Sequence, residues 1–148
     1  MNASKPLLFR KLAIRGIEIR NRIIVSPMAQ YSAQDGAATD WHFAHLAKFA
    51  IGGAGLVFTE AVKVERRGLG TVGDMGLWDD SHVGPLRGIT SFLKRYGAVP
   101  GIQLNHAGRK AGTHRPWEGF GPLDRSRMIE GRDHWQVVGP SAIAHAEW

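Results

Sequence analysis

A carboxamide inside an apolar run is the first group in this sequence that could do specific chemistry. Residues 99–104 read VPGIQL, and Gln103 interrupts them. A buried amide has two donors and an acceptor oxygen to satisfy. It can spend them on neighbouring backbone, or on a flat heterocycle that carries adjacent C=O and N–H groups. Two other runs end in residues suited to such a ring. NRIIVSPMAQYS passes from a β-branched segment into Ser26, Pro27, Met28 and Ala29, and LVFTEA ends in Ala61. Met28 offers a soft, adaptable surface, or fills a core gap. Ala61 is small enough to let a plane approach the backbone. Tyr31 brings a phenol that can hydrogen-bond a carbonyl or donate a proton, or can stand as an ordinary loop residue. Each signal is weak alone, but apolar, small and amide groups at three strand ends together point to a planar ligand. The uracil-like end of a flavin is one such edge.

Other candidates carry less. GLGTVG at 68–73 fits G-x-G-x-x-G. A dinucleotide loop, however, needs a strand immediately before it and a helix opening within it. Here a charged run precedes the motif and DMGLWDD follows, so an irregular turn is expected. His42 and His45 lie three apart on one predicted helix with no third ligand beside them, which favours capping or packing over a metal. His106, Arg109 and Lys110 open a long loop. They could hold an anion or a ligand carbonyl, or form its salt-bridged base. Ser26 precedes a proline and lacks the G-x-S-x-G elbow of an α/β-hydrolase. Without cysteine there is no thiol nucleophile, thiolate metal site or disulfide.

These residues need elements to position them. Residues 7–20 alternate loosely, with a hairpin expected around Gly16. A short strand at 23–25 ends before Pro27. The stretch ATDWHFAHLAKFAIGGAG predicts a helix capped by Thr39 or Asp40, with an apolar face of Phe43, Leu46, Ala47, Ala50 and Ile51, stopped at Gly52-Gly53. A second strand spans 56–61. A second helix spans 80–96, with Ser81 as cap, Pro85 in its first turn and Leu86, Ile89, Phe92, Leu93 and Tyr96 as its buried stripe. The third strand is 99–104, with Gln103 and Asn105 on one face and Ile102 and Leu104 on the other.

Strands separated by helical lengths call for parallel pairing with right-handed crossovers. A barrel or an open doubly wound sheet fits. Residues 106–135 then show no sustained period, the mark of a functional loop, with Trp117 and Phe120 expected to help bury it. Three strands and two helices leave a raw sheet edge, so the chain is expected to be a fragment needing further chain. Alone it is expected to fold poorly.

Composition sets outer bounds. With 43% hydrophobic and 22% charged residues among 148, the chain has the makings of a globular α/β core. The formal charge of +6 is scattered, with no arginine ladder or paired-aromatic motif, so no nucleic acid is expected. No signal peptide or membrane span is read. A cytoplasmic protein is the expectation.

Taken together, NRIIVSPMAQYS, DWHFAHLAKFAIGGAGLVFTEA, GDMGLWDD, GIQLNHAGRKA and RPWEG resemble the old yellow enzyme family of FMN-dependent ene-reductases. HAGRKA with RPWEG is similar to its bacterial xenobiotic reductase A-like branch. The resemblance implies an eight-stranded TIM barrel, of which residues 1–148 would be the amino-terminal part: the first three strands and the long loop after the third. It implies that Ser26, Pro27, Met28, Ala29, Ala61 and Gln103 bind FMN. Pro27 and Met28 would line the ring, Ala61 would contact it through the backbone, and Gln103 would bond its pyrimidine edge. Tyr31 would lie over the substrate side as a catalytic residue. In that branch a cysteine commonly stands where this chain has Ala29, so an altered reduction potential or oxidative half-reaction is implied.

The implied partners are the rest of the barrel, a small activated alkene and, when complete, further copies in a homo-oligomer. NADPH or NADH would be the reductant. Hydride would pass through FMN to the activated C=C bond of α,β-unsaturated carbonyl or nitro compounds. The family's later substrate-binding pair, proton-donor tyrosine and phosphate site are not assigned within these residues. The rival readings are a non-flavin TIM-barrel aldolase or isomerase and a non-catalytic interaction fragment. The aldolase reading needs a lysine or metal set at the strand ends, and none is read there.

Overall fold

The computed structural model describes residues 5–123 and 135–145. The part of the expected loop at 124–134 lies outside the described residues. A hairpin comes first: β1 (Leu12–Ile14) pairs antiparallel with β2 (Ile17–Ile19) across an Arg15-Gly16 turn, as the alternation predicts. Next come β3 (Ile24–Val25), α1 (Asp40–Ile51), β4 (Leu56–Lys63), α2 (Val83–Arg95) and β5 (Val99–Asn105). β3 and β5 flank β4, and both pairings are parallel. Among the described residues no helix is long and apolar enough to cross a membrane.

The core lies between the helices and the outer face of this sheet. Leu46 and Ala50 of α1 meet Ile89 and Leu93 of α2 over Val57 of β4. The predicted α1 stripe is too wide. Leu46, Ala47 and Ala50 are buried, but Phe43 and Ile51 are 37% and 62% exposed. His42 takes the buried place instead, and Phe43 packs edge-on against Phe92 of α2. Thr39 is the α1 cap and His42 its partner: the Thr39 N–H donates to His42 Nδ1 at 3.0 Å, closing a capping box. α2 starts later than the pattern suggests, because Asp79, not Ser81, caps a preceding 3-10 turn over Asp80–His82. Tyr96 falls just outside α2 and is 44% exposed, stacked on Phe92.

Arg20 ties the amino-terminal end of the sheet to the helices. Its guanidinium donates to the carbonyls of Ala50 (2.9 Å), Ala54 (2.9 Å) and Tyr96 (2.7 Å). These are oxygens at or just past the carboxyl ends of both helices, where partners are lacking and positive charge is favoured. Replacing Arg20 by Met keeps the stem but leaves these carbonyls without the cation. The expected cost is about 2–4 kcal/mol of stability in a completed barrel, read by chemical denaturation.

Candidate functional site

An extra residue in β4 decides what faces the ligand side. Phe58 pairs with Gly101 and Ala61 with Gln103, so three steps along β4 match two along β5. Before this bulge, Val57 points outward into the helix-packed core. After it, Val62 is again outward, in a second core cluster with Met75 and Leu86. Thr59 and Glu60 therefore both turn outward, and Ala61 turns inward beside Gln103. On β5, Ile102 lines an outer groove with α2, which leaves Gln103 and Asn105 on the inner face, as alternation predicts.

Gln103 is exposed, and among the described residues its amide makes no hydrogen bond. The neighbouring backbone does not engage it, so both its donor and its acceptor are open to a ligand. Its rung partner Ala61 leaves room for a ring to approach. Ser26 and Met28 are exposed and Pro27 half-buried, in the segment directly after β3 and thus at the same carboxyl end. Ala29 is exposed, its carbonyl 3.3 Å from the Gln30 side-chain amide that donates to it. An apolar lining, a small residue and an unengaged amide at one end of three parallel strands suit a flat ring with a hydrogen-bonding edge.

Glu60, which the sequence reading passed over, holds this end together. It is only 4% exposed. One oxygen accepts the Gln30 N–H at 2.5 Å and the other the Met75 N–H at 2.9 Å. His42 Nδ1 already accepts from Thr39, so the ring carries its proton on Nε2, which lies 3.8 Å from Glu60 Oε1. One carboxylate thus joins the segment after β3 to the loop after β4 and lies beside the start of α1.

Tyr31 sits beside that anchor in the left-handed region, with φ of 53°. A Cβ on Gly73 would overlap the Tyr31 carbonyl, so the glycine permits this close approach. The Tyr31 ring meets Trp117 edge to face, 5.8 Å between centroids. Burial first, then the carboxylates of Asp74 and Glu60, push its phenol above the usual tyrosine range. It therefore stays protonated at neutral pH as a hydrogen-bond donor. Trp117 and Phe120 do not bury their loop as expected: they are 66% and 52% exposed. Trp117 rides on a short 3-10 turn held by Arg115 and Glu118, which aims the ring outward against Tyr31.

Two sequence alternatives close here. His106 Nε2 lies 2.7 Å from Glu65 and its Nδ1 accepts the Gly108 N–H, so it forms the salt-bridged loop base. The GLGTVG stretch is an irregular turn whose anion position is already filled. Asp74 Oδ2 accepts the N–H groups of Gly70 and Thr71 at 2.9 and 3.2 Å. One expectation needs correction. β4 runs two residues beyond the predicted 56–61, and Lys63 stands at its end, so a strand-end lysine does exist. Its ammonium is buried 3.4 Å from Asp74 Oδ2, a paired cation and not a free amine nucleophile.

Parallel strands with helical crossovers, and a ligand-facing set at their carboxyl ends, define the opening units of an α/β protein, whether a barrel or an open doubly wound sheet. Residues 7–144 match the NADH:flavin oxidoreductase / NADH oxidase family, and the chain belongs to it. An NADPH dehydrogenase of Geobacillus sp. (strain WCH70) is 45% identical over 145 residues, 97% of this chain and 37% of that protein. The Gibberella zeae NADH:flavin oxidoreductase FG08077 is 42% identical over 137 residues, 93% of this chain and 33% of that protein. The chain thus spans about a third of the length of these relatives.

Among solved structures, the old yellow enzyme homologue of Zymomonas mobilis superposes with a TM-score of 0.67 at 29% identity, over 72% of this chain and 30% of that one. Morphinone reductase gives 0.67 at 25% identity, over 76% and 29%. The fold is that of the first part of an old yellow enzyme TIM barrel, and the family is one of FMN oxidoreductases that use NAD(P)H.

Proposed function

We propose that this chain is the amino-terminal part of a single FMN-binding barrel domain and that, once completed, it is an NAD(P)H-dependent ene-reductase. The observation that carries this reading is the Ala61–Gln103 rung. It places an unengaged carboxamide beside a small residue on the inner face, at the end of the sheet that also bears Pro27 and Met28. FMN, when bound there, supplies hydride transfer between reduced nicotinamide and the C=C bond of an α,β-unsaturated carbonyl or nitro compound.

The chain's own residues bind and orient. Gln103 offers complementary hydrogen bonds to the pyrimidine edge, and Pro27 and Met28 bound the ring on the side of β3. Ser26 and Ala29 flank them, and Ala29 offers a methyl where a thiol could hydrogen-bond or tune the ring. Tyr31 donates to the substrate's carbonyl or nitro oxygen, where negative charge develops. Tyr31→Phe is expected to lower kcat/KM about a hundredfold with FMN content unchanged, since one donor to developing charge is lost. Because its phenol titrates above the ordinary range, the rate of the unmodified protein should not fall through Tyr31 ionisation until strongly alkaline pH.

The test joins residues 1–148 to the remainder of the Geobacillus relative and purifies the completed barrel. Bound flavin absorbance and NADPH-dependent consumption of 2-cyclohexenone are the expected results. A well-folded barrel that never holds flavin overturns the reading.

A further inference from the structure

One buried cation has no part in the site as described so far. Lys63 is 6% exposed and closes the inner face of β4, two rungs beyond Ala61. Its Nζ donates to Asn105 Oδ1 at 2.7 Å and lies 3.4 Å from Asp74 Oδ2. Asp74 is itself fixed by Gly70, Thr71 and the Thr71 hydroxyl, which donates to Oδ1 at 2.8 Å. A lysine ammonium has only donors, so the amide of Asn105 must turn its oxygen to Lys63 and its NH2 away. Burying a charged pair is expensive, and a well-packed apolar pair would fasten the turn after β4 to the end of that strand as well or better. Its placement suggests a use for the charge.

Because Lys63 pairs with Asn105 as Ala61 pairs with Gln103, the ammonium's strand position is two residues, about 6.6 Å, beyond the flavin-facing rung. Glu60, the other buried charge of β4, points to the opposite face. We propose that Lys63 is a positioning residue of the flavin site. It orients the Asn105 amide and sets a positive charge near the pyrimidine edge, which favours the reduced flavin because that form is anionic at this edge. The inference rests on the flavin reading above.

The experiment uses the completed, FMN-loaded barrel and measures the flavin midpoint potential spectroscopically against reference dyes. Lys63→Met is expected to shift the reduced-to-oxidised ratio at fixed potential about tenfold toward oxidised flavin. Asp74→Asn, which removes the opposing charge but keeps an acceptor for Thr71, should shift it toward reduced flavin. Lys63→Arg should stay near the unmodified value. A purely structural role gives no such mirrored shifts. If both neutral variants move the potential the same way, or neither moves it, the inference is overturned. Should Lys63→Met lose FMN, the Asp74→Asn and Lys63→Arg pair decides by the same signs. A completed barrel that holds no FMN before any substitution overturns the flavin reading, and this inference with it.

Discussion

Glu60→Ala in the completed barrel is expected to abolish ordered flavin binding and to cost about 2–5 kcal/mol of stability. The reasoning starts from the two backbone donors. Gln30 N–H and Met75 N–H both end on the Glu60 carboxylate, in a site with almost no water access. Truncation leaves both donors unsatisfied and removes the carboxylate that lies 3.8 Å from the buried His42 Nε2, which has no hydrogen-bond partner of its own. Each orphaned buried donor costs about 1–3 kcal/mol.

The functional loss follows from what those donors anchor. Gln30 lies between Met28 and Tyr31, so release of its N–H frees the proposed ring lining and substrate donor together. Tyr31 holds a left-handed backbone that relaxes once its neighbours no longer fix it. Glu60→Gln keeps the volume but turns an NH2 toward one of two donors, so it should be intermediate. Denaturant midpoints and FMN titration of the three proteins check this order. Unchanged flavin affinity in Glu60→Ala would falsify the anchoring role.

The contrast between Glu60 and Gln103 shows where the sequence stops being readable. Gln103 stood out because β5 is otherwise apolar and regular, so a single amide broke a pattern. The helices were legible for the same reason: Leu46, Ala47, Ala50, Leu86, Ile89 and Leu93 recur at helical spacing, and Gly52 marks the stop of the first. Glu60 looked like an ordinary strand-end acid. Only the bulge between Phe58 and Ala61 turns it outward to Gln30 and Met75, and alternation carries no mark of that extra residue. Lys63 heads the charged run KVERR, which reads as following the strand, although β4 continues through Lys63 and Asp74 returns from eleven residues away to pair with it. Ion pairs of this kind exist only once the crossover is built. Trp117 was misjudged for a related reason: its neighbour Tyr31 lies far away in sequence, and an isolated aromatic in a loop gives no direction for its ring.

The second large effect concerns the 148-residue polypeptide expressed by itself. It is expected to show no cooperative thermal transition and to bind no FMN, whereas the completed barrel does both. Among the described residues, β3 and β5 each pair on one side only. An open edge offers unpaired backbone groups to any other strand. The faces beside those edges are apolar: Ile24 is 47% exposed and Leu104 61%. Outside β5, a groove of about 420 Å³ runs between α2 and the sheet, lined by Thr59, Leu86, Thr90, Pro100 and Ile102. In a (β/α)8 barrel the helix following that strand covers this ground, and later strands close the interior.

The existing core, centred on Val57, Ile89 and Leu93, sits on one face of a three-stranded sheet, so among the described residues the other face has no second layer packed over it. Gln103 then meets water in place of a ring edge, and Tyr31 has no opposing wall. Circular dichroism melting with analytical ultracentrifugation separates the outcomes. Association or a broad, shallow transition is the expected result. A monomer that melts sharply and reversibly without further chain would mean that these three strands are sufficient by themselves, and the barrel would no longer be needed to explain the exposed face.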